Sequence, residues 1–328
     1  MTFNALTIKT STLIPILLIC AGFFYGCNTN KTENDSDEDI VEALAPEPTY
    51  IEYTVTGMKF DGPTTIPSGW TTIRLNNLSA MTHFALVERI PDSISVADQQ
   101  QLVAPVFQNF MDNYNGKPLS APDAGMELPA WFGGIEYLGG PGLVAPQYAA
   151  ETTVFLEPGN YMLECYVKTD GIFHSYNPDP DQMGMVLGLT VTAENSGLAE
   201  PVPTMEVSVS STEGITVNGS PAEGLNIVKV TFTDQAVYEN FVGHDVHIVK
   251  LDEDADQAAV AAWMNWTTPD GLQTPSPATF VGGVNDMAAG GVGYIHVNLE
   301  PGTYAWVAEI PDPASRGMFQ VFTVGGAM

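Results

Sequence analysis

LEPGNYMLECYVKTDGIFH (residues 156–174) returns in altered form as LEPGTYAWVAEIPDPASRG (residues 299–317). In the first copy Tyr161, Leu163, Cys165 and Val167 fall in phase with period two, which predicts a strand with these four side chains on its inward face. The second copy keeps the strand pattern but has Ala308 in place of Cys165, and no histidine in place of His174. One half of a duplicated chain has therefore kept a thiol and an imidazole that the other half lacks.

The repeat extends outward in order. PAWFGGI (129–135) pairs with PATFVGGV (277–284), and MGMVLGLTV (183–191) with RGMFQVFTV (316–324). Short apolar or alternating runs bounded by Gly and Pro recur in both halves. In the first half they are 50–56, 71–75, 84–88, 153–156, 161–167 and 185–191. In the second they are 205–210, 226–233, 245–251, 294–299, 303–309 and 318–324. Each half has one helix signal. Ser95 with Asp98 forms a capping-box pattern before QQQLVAPVFQNFM, and DEDADQ precedes AAVAAWMNW. The expected fold is all-β: two tandem Greek-key sandwiches, each with a short inserted helix. They would span 49–194 and 203–328, joined by a linker over 195–202.

NNLSAMTHFALV, then EPGNYMLECYV, a histidine and MGMVLGLTV together resemble the cupredoxins, the plastocyanin- and azurin-like copper sandwiches, and more closely a group of exported bacterial cupredoxin-like proteins. The resemblance implies a copper site with His83 as the early ligand and Cys165, His174 and Met185 as the late ones, Met183 being the alternative axial ligand. Two imidazoles and a thiolate suit copper in a trigonal plane, with a thioether as weak axial donor. The sequence departs from the family in one place. The His-to-Met interval is usually a handful of residues, and here HSYNPDPDQMGM separates His174 from Met185 by eleven positions. The extra NPDPDQ either bulges outward or carries His174 away.

Each position also has a packing reading. A buried cysteine behaves as a small hydrophobe, a strand-end histidine is commonly satisfied by backbone, and a methionine opening an apolar strand fills core. In the second half His244, or alternatively His247, stands at the early position and Met318 where Met185 does. Without a thiolate that copy is no blue-copper centre, and the second domain is expected to be degenerate.

The N-terminus ends its apolar run in Phe24-Tyr25-Gly26-Cys27, which resembles a bacterial lipobox with Phe24 in the usual leucine position. It predicts a lipoprotein signal peptide over 1–26, a lipid anchor on Cys27 and an acidic flexible tether over 27–48. Of three cysteines, Cys20 would leave with the leader and Cys27 would carry lipid, so Cys165 is the one free thiol expected in the mature chain. The expected location is outside the cytoplasm, on the outer membrane, at its periplasmic or cell-surface face.

With 39 acidic against 10 basic residues, net −29, the surface repels phosphate backbones and no nucleic-acid partner is expected. The expected function is a tethered copper protein, for electron transfer or copper handling, with a redox or surface protein as partner. The rival is a metal-free binding module on the cell surface, with Trp131, Phe132, Trp263 and Trp266 as its aromatic face if they are not core. The acidic runs 252–256 and 179–181 lack the EF-hand pattern and read as solvated turns rather than calcium loops. Five histidines and no His-Cys dipeptide argue against a copper nitrite reductase. Cys165 with His174 as its base matches no recognised nucleophile motif, so the expectation is that the chain is no enzyme.

Overall fold

The computed structural model describes residues 50–179, 181–239 and 243–325. The expected leader, lipidated Cys27, tether and Cys20 lie outside the described residues. No described helix is long and apolar enough to cross a membrane.

The first half runs β1 (Tyr50–Val55), β2 (Phe60–Asp61), β3 (Thr65–Asn77) and β4 (Leu86–Arg89), then α1 (Val96–Leu102) and α2 (Ala104–Tyr114). It continues with β5 (Glu136–Tyr137), β6 (Ala149–Leu156), β7 (Gly159–Glu164), β8 (Lys168–Thr169), β9 (Ile172–Phe173) and β10 (Val186–Asn195). The second half runs β11 (Met205–Ser210), β12 (Gly214–Asn218), β13 (Gly224–Phe232), β14 (Val246–Leu251), α3 (Gln257–Trp263), β15 (Thr279–Val284), β16 (Val292–Leu299), β17 (Gly302–Val307) and β18 (Phe319–Val324).

The two halves share one topology. One sheet is ordered β2-β1-β3-β6 in the first half and β12-β11-β13-β16 in the second. The facing sheet is ordered β10-β7-β4-β5 in the first and β18-β17-β14-β15 in the second. In both, the opening strand pairs in parallel with the third, Tyr50 opposite Thr72 and Met205 opposite Val228. Strand β3 serves both sheets of its sandwich. Thr65–Ser68 pairs with β10, and from Gly69 onward the strand pairs with β6. The switch turns on Gly69, whose φ of +100° a side chain would resist.

Alternation explains the cores. Tyr161, Leu163, Cys165 and Val167 are all buried as their period predicts, and so are Tyr304, Trp306 and Ala308. Each fully buried Leu, Ile or Val contributes about 1.5–3 kcal/mol, so these in-phase runs are what press the two sheets together. The helix signals also hold, except that the one helix expected in the first half is two, α1 and α2, broken at Val103. Ser95 and Asp98 close a capping box on α1, and the Asp256 carboxylate accepts from the Ala258 and Ala259 N–H groups at 3.0 Å.

The sequence does not reveal how tightly the sandwiches are laced. Strand β16 pairs edge to edge with β6, Ile295 opposite Thr152, so one sheet runs from the first half into the second. A second seam joins the other layers. Val144 bridges His83 on one side and Val281 of β15 on the other. Both edges would otherwise be open to association, and pairing them satisfies their backbone groups within the chain.

Candidate metal centre

Strand β7 ends at Glu164, and Cys165 follows with its side chain in the core and no exposure. His83 sits just before β4, its N–H donating to the Val144 carbonyl at 3.1 Å and its carbonyl accepting from the Val144 N–H at 2.8 Å. His174 follows β9, its N–H donating to the Val167 carbonyl at 2.8 Å. Three separate elements thus deliver one donor each. The Sγ of Cys165 lies 3.6 Å from Nδ1 of His83 and 3.8 Å from Nδ1 of His174. All three residues are fully buried, and their donor atoms lie within 4.8 Å of one another.

These distances match a shared ion. Bonds of about 2.0 Å to nitrogen and about 2.3 Å to sulfur at about 120° put nitrogen and sulfur about 3.7 Å apart. Electrostatics agree. Burial holds His83 down at about 4, and burial followed by repulsion from His83 holds His174 at about 3, so both imidazoles are neutral with lone pairs free. Burial pushes the Cys165 thiol up to about 12, so without a cation it stays protonated. A metal ion reverses that balance, because its charge favours the thiolate. The donor set of two neutral imidazoles, one thiol and a nearby thioether residue fits copper.

The tautomer of His174 follows from its neighbours. Thr274 Oγ1 donates to the Lys168 carbonyl at 3.1 Å, and Thr169 Oγ1 lies 3.0 Å from Thr274 Oγ1. Thr169 in turn lies 2.9 Å from Nε2 of His174 and accepts its proton. Nδ1 is then left as the lone-pair nitrogen facing sulfur. Thr274 belongs to the second half, which thereby helps orient a residue of the first. That segment also clasps the Lys168 end of the loop: Lys168 Nζ donates to the carbonyls of Trp266 at 2.9 Å and Thr268 at 2.6 Å.

The long interval does bulge outward. Pro178, Asp179, Asp181 and Gln182 are exposed, while the Met185 N–H donates to the His174 carbonyl at 2.6 Å and closes the neck of the loop. Gly184 permits that closure, since a Cβ there would meet the Ser175 carbonyl at 2.1 Å. Met185 is fully buried, and its carbonyl accepts from the Cys165 N–H at 3.2 Å. Met183 is 56% exposed, which removes it as the alternative axial ligand: the outward bulge carries it into solvent.

The second half shows the same frame without the donors. The Ala308 N–H donates to the Met318 carbonyl at 3.0 Å, as Cys165 does to Met185. The Met318 N–H donates to the Pro313 carbonyl at 2.8 Å, so Pro313 stands in the place of His174. His247 opposes Val307 as Leu86 opposes Glu164, which makes His244 the counterpart of His83. His244 Nε2 lies 2.8 Å from the Asp234 carbonyl. A different cluster, which the sequence did not signal, joins Asp245, His247 and Glu309 within 4.8 Å. Its residues come from two strand ends, with no spacing motif to betray them. Trp263 and Trp266 are buried core and Trp131 and Phe132 are half-buried, so the four form no common exposed face. The 252–256 acids are surface turn and cap residues, as expected.

No protein-family model matches this sequence. No curated protein matches it. Among solved structures, an auracyanin from Roseiflexus castenholzii matches at 21% identity and TM-score 0.28, over 39% of this chain and 100% of its own. A multicopper oxidase matches at 14% identity and TM-score 0.20, over 84% of this chain and 88% of its own. A copper-containing nitrite reductase from Thermus scotoductus matches at 13% identity and TM-score 0.21, over 84% of this chain and 61% of its own. The expectation that the chain is no enzyme is corrected by these matches, since neighbours spanning both halves are enzymes by name. The strand order, and the meeting of His83, Cys165 and His174 with Met185 hydrogen-bonded beside them, agree with the expected cupredoxin-like sandwiches.

Proposed function

We propose that the first sandwich would hold one copper ion through His83, Cys165 and His174, with the Met185 thioether as a weak further donor, for electron transfer or copper handling. The convergence of Nδ1, Sγ and Nδ1 at 3.6 and 3.8 Å carries this reading. Bound copper supplies one-electron chemistry between its two common oxidation states. The protein's part is to hold the donors in place before the ion arrives. Three backbone-anchored elements do so, and complete burial keeps water from competing for the ion. The Thr169–Thr274 pair fixes the outer edge of His174, which assigns the copy without a site a supporting role.

In this reading the chain is exported, cleaved ahead of Cys27, lipid-anchored there, and set off from the membrane by the acidic stretch 27–48. The partners are then the lipid and a redox or surface protein.

The test is copper content and the visible spectrum of the purified protein, with Cys165→Ala beside it. One equivalent of copper with an intense band near roughly 600 nm, both lost in the variant, supports the proposal. No band, and equal metal in the two proteins, overturns it and leaves Cys165 as packing.

A further inference from the structure

The strand that turns Cys165 inward turns its neighbours outward. Met162, Glu164 and Tyr166 line the opposite face of the sheet, together with Leu86 and Glu88 of the paired strand β4. Leu86, Glu88, Met162 and Glu164 are buried and Tyr166 is half-buried. Helices α1 and α2 cover this face with Gln99, Val103 and Phe107, and the second half closes it with Asp245, Trp266 and Asp286. Between them lies a cavity of 80 Å³, space for roughly five waters or one compact organic group.

Its lining is unusual in two respects. Four carboxylates reach it, Glu88, Glu164, Asp245 and Asp286, and no lysine or arginine does. Aromatic rings form much of the rest: Phe132, Tyr137, Tyr166, Phe173 and Trp266, with Phe173 and Trp266 edge to face at 5.5 Å. Two of the acids have partners. Glu164 accepts from Gln99 Nε2 at 3.0 Å, and Asp245 accepts from His247 Nε2 and the Glu309 N–H, both at 2.6 Å. Glu88 does not. It is 4% exposed, and its Oε2 has no hydrogen-bond partner. A buried carboxylate oxygen left bare costs more than most single contacts return, so a missing partner is implied.

We propose that this cavity binds a small organic ammonium ion, with Glu88 and Asp286 supplying the countercharge and the aromatic rings facing its alkyl groups. Rings attract a desolvated ammonium through their negative faces, and carboxylates neutralise its charge. In the free protein, burial and the repulsion of Glu164 and Asp286 hold Glu88 well above the usual carboxylate range, and burial followed by repulsion from Asp245 holds Asp286 at about 7. A bound cation relieves both.

A divalent metal fits less well. The tight cluster beside the cavity is Asp245, His247 and Glu309, and it includes neither Glu88 nor Asp286. Within it, Nδ1 of His247 accepts from the Leu143 N–H at 3.1 Å. Nε2 therefore carries the proton it gives to Asp245 and has no lone pair for a metal. This inference stands whether or not the first sandwich takes copper.

The experiment is calorimetric titration of the full chain at pH 8 and low salt with choline and with 3,3-dimethylbutan-1-ol, its uncharged isostere. Choline is expected to bind one to one, at least about tenfold more tightly than the alcohol. Glu88→Gln and Asp286→Asn are each expected to weaken choline by about tenfold. If one variant fails to fold, the other carries the expectation, with far-UV circular dichroism reporting the fold. Equal affinity for the alcohol, no choline binding up to about 10 mM, or displacement of choline by equimolar Mn²⁺ or Ca²⁺ would each overturn the proposal.

Discussion

Ala308 occupies in the second sandwich the position that Cys165 occupies in the first. The N–H of each donates to the carbonyl of the methionine that precedes the last strand, at 3.0 and 3.2 Å. The frames coincide while the chemistry differs, so restoring the thiol alone does not restore a site. Ala308→Cys is expected to give no intense visible band with Cu(II) when Cys165 is replaced by Ala in the same chain. Pro313 offers no imidazole, and His244 Nε2 is already within bonding distance of the Asp234 carbonyl. A strong band in that double variant would show that the frame alone suffices.

The exposed part of the His174–Met185 loop is expected to be dispensable. Deleting residues 177–182 shortens the interval to the five positions that separate Pro313 from Met318, and leaves the neck between His174 and Met185 to close as before. The visible band of the copper form should keep its position. A shifted or absent band would mean that the bulge itself holds His174.

Thr274→Val removes the hydroxyl that lies beside Thr169 but keeps the Thr274 N–H bond to the Lys168 carbonyl at 2.9 Å. Copper affinity is expected to fall about tenfold, as it does when a group supporting a ligand is lost. Thermal unfolding of the metal-free protein should change little. Unchanged affinity in a competition titration would remove Thr274 from the site.

Stability of the metal-free protein is expected to depend on pH through the acids of the cavity lined by Glu88 and Asp286. Asp286 is raised from 3.8 to about 7 by burial, and Glu88 is raised in the same sense. The folded state therefore holds protons that the unfolded chain has released. The stabilising contribution is complete below about pH 4 and is lost as pH rises through the folded value. Glu88→Gln stays neutral at all pH, so it should unfold at a temperature at least about 2 °C above the parent at pH 8. At pH 4 the two should be close. A constant difference between the two pH values would show that Glu88 does not titrate in this window.

Much of this was legible before any fold was known. The period-two run through Tyr161, Leu163, Cys165 and Val167 placed the thiol inward, and Ser95 with Asp98 announced α1. Local pattern suffices there, because side-chain direction and capping are set within a few residues. The eleven-position interval was a different matter: whether the loop bulged or displaced His174 depended on Gly184 fitting against Ser175, a contact across the neck. Strand β12 and the edge pairing of β6 with β16 went unread for a related reason. Pairing depends on which edge meets which, and a strand does not encode its neighbour.

From the sequence alone came the duplication, the all-β class, the leader-like N-terminus and the order His83, Cys165, His174, Met185. Those are matters of composition, periodicity and order along the chain. Tertiary structure decided that the three donor atoms meet, that Met183 does not join them, that Thr274 of one half steadies His174 of the other, and that a ring of acids and aromatics closes behind Cys165. Each of these is a distance between residues far apart in the chain, set by how two sheets and two halves pack.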